Sequence, residues 1–422
     1  MSEKAFKISV PESEIALLRQ KLELTRLPDE LDEVGWQYGA PLADVKRLVQ
    51  RWKTGFDWRK SEEELNKLPH FTRDINIENF GALNVHYIHK KSVVAGAIPL
   101  LFVHGCGQPP TPSVLRVRST NVLSGPGSFL EVLKILPLLV SSSPDHPSFH
   151  VVTFSLPGFG FSEAPKIPGF AIPQYAEVGH KLMLALGYNE YVVQGGDWGS
   201  RISYQQNTTY AHKHVKAWHT NAPLTQGPPK LLSHPRLYLT HLITPYTERE
   251  KAGFARMDWF NRVHGGYFAE QSTQPQTIGY SLADSPVGLL AWIYEKLVAW
   301  TDEYAWTDDE VLQWISIYWF SRPGPAASLR IYYEATKNMD MKDLPPTTVP
   351  MGISLFPQEL MQVPKVWARA LGNIVFVAEH DSGGHFAAHE KPVELVGDLR
   401  KMFGKGGPAF GVVPGKNGYA SL

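Results

Sequence analysis

The sequence of 422 residues has very little cysteine and no long hydrophobic run. Cys106 is its single cysteine, which excludes an intrachain disulfide and a cysteine-rich metal site. No apolar run reaches the roughly 18 residues that a membrane span needs. The first residues lead into polar sequence rather than an apolar segment, so no secretory signal is expected. These absences together predict a cytoplasmic protein without a membrane span.

The chain also lacks an excess of charge of either sign. Lysine and arginine number 41, aspartate and glutamate number 41, and the formal net charge is zero. A neutral chain gives no overall electrostatic signal for nucleic acid, so no nucleic-acid partner is expected. Apolar residues make up 43% and aromatic residues 12%, which is enough for a sizeable core and argues against disorder.

The pattern of apolar residues divides the chain into four parts. Residues 1–75 have the spacing of polar and amphipathic helices and are interpreted as an N-terminal arm. Short apolar runs bounded by Gly and Pro, with helical stretches between some of them, occupy residues 76–224 and return in residues 346–422. This alternation predicts a mostly parallel sheet with helices on both faces, which is an α/β fold. Residues 225–345 have helical spacing and are interpreted as a helical lid inserted between the strands.

Two segments of the predicted lid have the pattern of a helix start. Asp284-Ser285-Pro286 precedes an apolar stretch of helical spacing, and so does the sequence Thr307–Glu310. Polar residues with short side chains are favoured just before a helix, and acidic residues are favoured in its first turn. We therefore expect one lid helix to begin at each segment.

A strand-to-turn-to-helix pattern around Asp197 indicates the chemistry. Residues 195–199 read Gly-Gly-Asp-Trp-Gly after an apolar strand, and the outer glycines flank Asp197 two residues away on either side. The arrangement matches the G-x-S-x-G nucleophile turn with Asp in place of Ser. A carboxylate suits attack on a saturated carbon, which forms an alkyl ester, so epoxides and alkyl halides are the expected electrophiles. Helix N-capping is the simpler alternative role for Asp197.

A histidine and a glutamate near the C-terminus complete the expected constellation. His385 lies in a Gly-Gly-His turn after the apolar run Ile374–Val377, where it would act as general base. Glu359 follows a strand-like run upstream and is the expected acid that orients His385. The order Asp197, Glu359, His385 is the nucleophile–acid–base order of α/β-hydrolases. The weaker alternatives for the acid are Asp340, Asp343 and Asp381.

These motifs together resemble the microsomal-type epoxide hydrolase family, including its soluble fungal members. The resemblance covers nearly the whole chain, from the N-terminal arm to the Gly-Gly-His-Phe-Ala ending. It implies an α/β-hydrolase fold and hydrolysis of epoxides to vicinal diols through a covalent ester on Asp197. It also implies an epoxide and water as partners, no metal, no organic cofactor, and a homodimer as a candidate assembly.

The resemblance further assigns residues that would stabilise developing charge. The family uses two lid tyrosines to bind the epoxide oxygen and protonate it, and the matching positions here are Tyr267 and Tyr332. Tyr333 stays open as the alternative to Tyr332. The backbone N–H of Trp198 is expected to be one oxyanion donor, and the loop near Gly105 is expected to provide the second. The aromatic lid favours an apolar or aryl-bearing substrate.

The chain departs from the family pattern in that second loop. The family reads His-Gly-Trp-Pro-Gly-Ser-Phe, whereas here His104-Gly105 and Pro126–Phe129 are separated by residues 106–125. The extra residues are either a genuine surface loop or an error of the gene model. Loss of one oxyanion donor costs on the order of 10² to 10³ in rate. A catalytically impaired ligand-binding homologue is therefore one alternative to an epoxide hydrolase. A dehalogenase is the other, because it would use the same Asp197 nucleophile with Trp198 directly after it.

Overall fold

A computed structural model of the chain describes residues 3–105, 127–225, 227–338 and 345–420. The insertion expected at residues 106–125 lies outside the described residues. The two alternative acids Asp340 and Asp343 also lie outside them.

A nine-stranded sheet forms the centre of the molecule. Its strands are β1 (Lys4–Ala5), β2 (His70–Ile77), β3 (Gly81–Lys90), β4 (Ile98–Val103), β5 (Phe149–Phe154), β6 (Tyr191–Gly195), β7 (Val215–Thr220), β8 (Thr347–Leu355) and β9 (Gly372–Glu379). The strand order is β1-β2-β3-β5-β4-β6-β7-β8-β9.

The sheet is mostly parallel, as the alternation of strands and helices predicts. Strands β5, β4, β6, β7, β8 and β9 pair in parallel, whereas β1, β2 and β3 add an antiparallel edge next to β5. Strand β2 begins at His70, before the arm boundary expected at residue 75. Its residues tend to alternate between buried and exposed, as in a strand with one face toward water, and sequence analysis did not identify this hairpin.

The central strands explain why one edge of the sheet can hold a reactive site. Every residue of β4 and of β6 is buried, because helices cover both faces of this part of the sheet. Parallel strands bring their carboxyl ends to the same edge, and loops from neighbouring strands meet there. The segments that follow β4, β6, β8 and β9 are therefore placed close together.

Helices cover the sheet and form most of the segment between β7 and β8. They are α1 (Glu12–Glu23), α2 (Leu42–Thr54), α3 (Trp58–Leu65), α4 (Leu136–Val140), α5 (Ile172–Ala185), α6 (Asp197–Tyr210), α7 (Pro235–Ile243), α8 (Glu248–Val263), α9 (Gly266–Thr273), α10 (Pro275–Asp284), α11 (Pro286–Trp300), α12 (Asp308–Trp319), α13 (Arg330–Asn338), α14 (Lys365–Ala368), α15 (Ala387–Glu390) and α16 (Pro392–Phe403). No helix within the described ranges is both long and apolar enough to cross a lipid bilayer.

The N-terminal helices pack against the helices between β7 and β8. Helix α2 buries Leu48 and Trp52, and it contacts α11 and α12. Arg51 on α2 binds both carboxylate oxygens of Asp309 at the start of α12, each at 2.8 Å. This bidentate pair lies at the positive end of the α12 dipole, which favours the carboxylate there, and it connects the arm to the helical segment.

Both helix starts expected in this segment are confirmed. The Ser285 side chain accepts a hydrogen bond from the Gly288 backbone N–H at 2.9 Å at the start of α11. At the start of α12, Thr307 accepts from the Glu310 N–H at 3.2 Å, and Glu310 accepts from the Thr307 N–H at 3.1 Å. This reciprocal capping box satisfies two backbone donors that a helix would otherwise leave without partners.

The cap of α12 gives a stability prediction. Replacing Thr307 with Ala removes the side-chain acceptor and should lower the free energy of unfolding by about 1 kcal/mol. Chemical denaturation measures this change. Thr307→Ser keeps the hydroxyl and serves as the control, with a stability close to that of the wild type. Equal loss in both variants would show that the hydroxyl is not what stabilises the helix start.

Candidate active site

Asp197 lies at the sharp bend between β6 and α6. Its backbone has φ of 58°, in the left-handed region that residues other than glycine rarely adopt. The N-cap position of α6 belongs to Gly196, so the simpler capping role does not describe Asp197. The side chain is only 6% exposed, yet it lines a small internal cavity. Such backbone strain is typical of functional sites, where the surrounding structure holds it in place.

Two glycines allow the bend to form. A Cβ atom at Gly199 would overlap the carbonyl oxygen of Val103 on β4, and one at Gly195 would overlap the carbonyl of Gly199. Helix α6 therefore begins in direct backbone contact with the sheet. The flanking glycines of the sequence motif are required by this close approach.

The three residues expected to act together are in hydrogen-bond contact. His385 Nε2 lies 2.9 Å from Asp197 Oδ2, and His385 Nδ1 lies 2.7 Å from Glu359 Oε1. His385 and Glu359 are both buried. The alternative acid Asp381 is fully exposed, and its side chain faces Arg249 at 4.0 Å.

Two backbone contacts fix the loops that carry these side chains. The N–H of Gln358 donates to the carbonyl of Gly383 at 2.9 Å, which joins the Glu359 loop to the His385 loop. The N–H of His385 donates to the carbonyl of Trp300 at 2.8 Å, at the end of α11. The imidazole is therefore held both by the sheet edge and by the helical segment between β7 and β8.

The two carboxylates control the charge of the imidazole. Burial disfavours the charged form of His385, but the negative charges of Glu359 and Asp197 outweigh that effect and hold its pKa well above the usual range. The raised pKa favours the imidazolium form of His385 between the two carboxylates. Its charge depends on Asp197 staying ionised.

The two assigned tyrosines lie on helices that pack against each other. Tyr267 belongs to α9 and Tyr332 to α13, and both side chains are buried. The ring of Tyr332 lies 5.8 Å from the ring of Trp198, and the ring of Tyr267 lies 5.5 Å from that of Trp300. Tyr333 is only partly buried, and its ring faces Lys337 Nζ at 4.8 Å. Tyr332 is therefore the member of this pair that contacts the residue after Asp197.

One expected oxyanion donor contacts the Asp197 carboxylate, and the loop expected to provide the second lies beside it. The backbone N–H of Trp198 donates to Asp197 Oδ1 at 2.5 Å. Gly105 is so close that a Cβ atom there would overlap Asp197 and lie 2.7 Å from the Trp198 nitrogen. A Cβ atom at Gly127 would in turn overlap the carbonyl oxygen of Gly105. The residues on either side of the insertion therefore adjoin beside Asp197.

Glu131 is a further ionisable group at this site that the sequence did not predict. Glu131 lies in a short 3-10 helix, Phe129–Val132, and lines a cavity of about 10 Å³ together with Asp197 and His385. Asn221, after β7, lines the same cavity. The signal available in the sequence was the position of Glu131 just after the Pro-Gly-Ser-Phe motif, but nothing in the local pattern shows that its side chain reaches Asp197.

Comparison with known proteins gives the family. Residues 3–109 match the model of the epoxide hydrolase N terminus, and residues 98–242 match that of the alpha/beta hydrolase fold. A relative from Stigmatella aurantiaca that carries an epoxide hydrolase name is 37% identical over 94% of this chain and 84% of its own length. Epoxide hydrolase 1 of Sus scrofa is 34% identical over 94% of this chain and 88% of its own length.

This chain belongs to the epoxide hydrolase family. The structure of Aspergillus niger epoxide hydrolase is also similar, with 32% identity, a TM-score of 0.79, and coverage of 94% of this chain and 95% of that one. The resemblance inferred from the sequence motifs and the α/β-hydrolase fold are thereby confirmed. The roles of individual side chains in this family member stay predictions.

In this epoxide hydrolase family member, a pair of glycine substitutions tests the close approach of α6 to β4 at the bend. Ala is normally favoured over Gly inside a helix by about 0.5–1 kcal/mol. Gly397→Ala in α16 meets nothing within 4 Å and should raise the free energy of unfolding slightly. Gly199→Ala in α6 must push α6 away from Val103 and should lower it by about 1–3 kcal/mol. Denaturant titration distinguishes the two, and a stabilising Gly199→Ala would contradict the close approach.

Proposed function

We propose that this chain hydrolyses epoxides to vicinal diols, with Asp197 as the nucleophile that forms a covalent ester. The observation that carries the proposal is the buried contact of His385 with Asp197 and Glu359, beside two lid tyrosines. An ionised carboxylate at a strained bend, a base held by a second carboxylate and phenols nearby are the groups that ring opening and ester hydrolysis need.

In the first step an oxygen of Asp197 attacks a ring carbon of the epoxide. The carbon–oxygen bond of the ring breaks, and the ring oxygen takes a proton from the phenol of Tyr267 or Tyr332. The products are a hydroxyalkyl ester on Asp197 and a phenolate. Developing negative charge on the ring oxygen is best stabilised by phenols in a site that excludes water, and both rings are buried.

Formation of the ester on Asp197 then lowers the pKa of the His385 imidazole. An ester carries no charge, so one of the two carboxylates that raise the pKa of His385 is lost when Asp197 is alkylated. The pKa of His385 falls toward its usual range, and its proton passes to the phenolate left by ring opening, so the phenol is restored and the imidazole becomes a neutral base. Formation of the ester thus makes His385 a base that can promote hydrolysis of the same ester. Glu359 keeps the imidazole ring oriented.

In the second step water attacks the carbonyl carbon of the ester and gives a proton to His385. The N–H of Trp198 and the loop at Gly105 would stabilise the oxyanion. The intermediate collapses, the bond to the alkyl oxygen breaks, and His385 returns the proton to the departing diol. The carboxylic acid formed on Asp197 then gives its proton to His385, which restores the resting carboxylate and imidazolium.

The side chains around the site favour an apolar epoxide. Trp198, Trp300 and Phe268 surround the two tyrosines, and their rings lie within ring-contact distance of them. Aromatic walls with few convergent polar groups are typical of pockets for apolar or aryl-bearing ligands. The homodimer, the cytoplasmic location and the division into arm, core and lid at residues 75, 225 and 345 stay predictions.

Trapping the ester tests the mechanism. With His385→Gln the first step should proceed and the second should stop, so intact-mass spectrometry should show the protein plus one molecule of styrene oxide. Asp197→Ala should show no adduct, and diol formation should fall by about 10⁴ or more. Asp381→Asn changes an exposed carboxylate and is the matched control with unchanged turnover. An adduct on Asp197→Ala would exclude Asp197 as the nucleophile.

A dehalogenase is the second candidate, and one observation favours it. The indole Nε1 of Trp198 is buried and has no hydrogen-bond partner among the described residues. An indole N–H next to the nucleophile could bind a departing halide. A halide leaves without a proton, so the tyrosines separate the two reactions.

The Tyr267→Phe/Tyr332→Phe double variant distinguishes them. Loss of both phenols should lower epoxide opening by about 10² or more, because no acid is left to protonate the ring oxygen. Dehalogenation of 1-bromobutane, if the protein has it, should be little affected. Each reaction is followed by product formation with the wild type as reference. Epoxide turnover that survives in the double variant would contradict the assigned role of the tyrosines.

A further inference from the structure

Glu131 is an ionisable group at the site that the proposed mechanism does not use. Its 3-10 helix begins at Phe129 and is capped by Ser128, whose hydroxyl accepts from the Leu130 N–H at 3.2 Å. A Cβ atom at Gly127 would overlap Glu131 Oε1, so the carboxyl group lies directly against the loop that resumes after the insertion. This loop adjoins Gly105 and therefore the reacting side of Asp197.

The cavity beside Glu131 has the size and lining of a site for one water molecule. Its volume is about 10 Å³, close to the minimum that a single water requires. Its polar lining comes from Glu131, Asp197, Asn221 and His385, and its apolar lining comes from Phe102 and two residues of the His385 loop. A buried water needs two to four polar partners, and these four residues can supply them.

The charges at the cavity favour a neutral Glu131. Burial, together with the nearby negative charge of Asp197, raises the pKa of its carboxyl to about 8, against opposing effects of His385 and of a hydrogen bond from the Ser128 backbone. Near neutral pH the group is therefore a carboxylic acid whose carbonyl oxygen can accept a hydrogen bond. A neutral Glu131 does not compete with the Asp197 carboxylate for electrostatic attraction to a protonated His385.

We propose that Glu131 is a positioning residue that holds the hydrolytic water between its carboxyl group and His385. One O–H of the water donates to Glu131, and the other donates to His385 Nε2. The water oxygen then forms a bond to the carbonyl carbon of the Asp197 ester while its proton passes to His385. Glu131 gains and loses no proton, so its contribution is orientation only. This inference rests on the proposed function, because it concerns the second step of that reaction.

Substitutions that separate the two steps test the inference. Glu131→Leu removes the acceptor at similar volume, and Glu131→Gln keeps an acceptor oxygen. With styrene oxide and rapid quenching, the Leu variant should form the ester at nearly the wild-type rate but hydrolyse it about tenfold more slowly, the typical effect of one hydrogen bond. The ester should therefore accumulate in the steady state. The Gln variant should restore most of the hydrolysis rate.

Leu133→Ala, on the turn that follows the same 3-10 helix, controls for general disturbance of this segment and should not change the ratio of the two rates. Glu131→Met replaces the Leu variant if that protein does not fold. An equal loss of both rates in the apolar variant, or no ester accumulation, would overturn the role of Glu131. Absence of both ester and diol with the wild type would instead contradict the proposed function, so the two failures are distinguishable.

Discussion

The imidazole of His385 between two carboxylates is the interaction on which the rest of the site depends. It joins the bend after β6 to the loops after β8 and β9, and Asp197 and His385 are 188 residues apart in the chain. The negative charges of Glu359 and Asp197 beside the ring hold the pKa of His385 well above its usual range. Alkylation of Asp197 would remove one of these two negative charges. The pKa of His385 would then fall, so the imidazole would become a neutral base in the ester-hydrolysis step, which requires one.

The helical segment between β7 and β8 takes part in holding this interaction. The carbonyl of Trp300, at the end of α11, accepts from the His385 N–H at 2.8 Å, and Asp302 accepts from the Gly383 N–H at 2.7 Å. Asp302 in turn donates its own N–H to Glu390 at 2.9 Å, just after His385 in the chain. The segment that carries both tyrosines therefore shares hydrogen bonds with the loop that carries His385. The N-terminal arm contacts the same helices, which connects it to the site through α11 and α12.

The interrupted loop after β4 is the feature in which this family member differs from the family motif. Gly105 and Gly127 adjoin in space, and both lie beside Asp197 or Glu131. The Tyr318 hydroxyl on α12 donates to the Gly127 carbonyl at 2.5 Å, which anchors the second half of the motif to the helical segment. The described residues on either side of the insertion therefore remain next to each other and close to Asp197.

The sequence by itself determined the class of fold and several element boundaries and predicted the reactive group, because these follow from neighbours along the chain. Gly-Gly-Asp-Trp-Gly after a buried strand defines a nucleophile bend, and Thr307 with Glu310 defines a helix start. Only the tertiary structure decided that Tyr332 rather than Tyr333 contacts Trp198, and that Glu131 reaches Asp197. It also revealed the antiparallel hairpin of β2 and β3. Such contacts depend on strand register and helix rotation, which are set by packing between distant segments and leave no periodic signal in the local sequence.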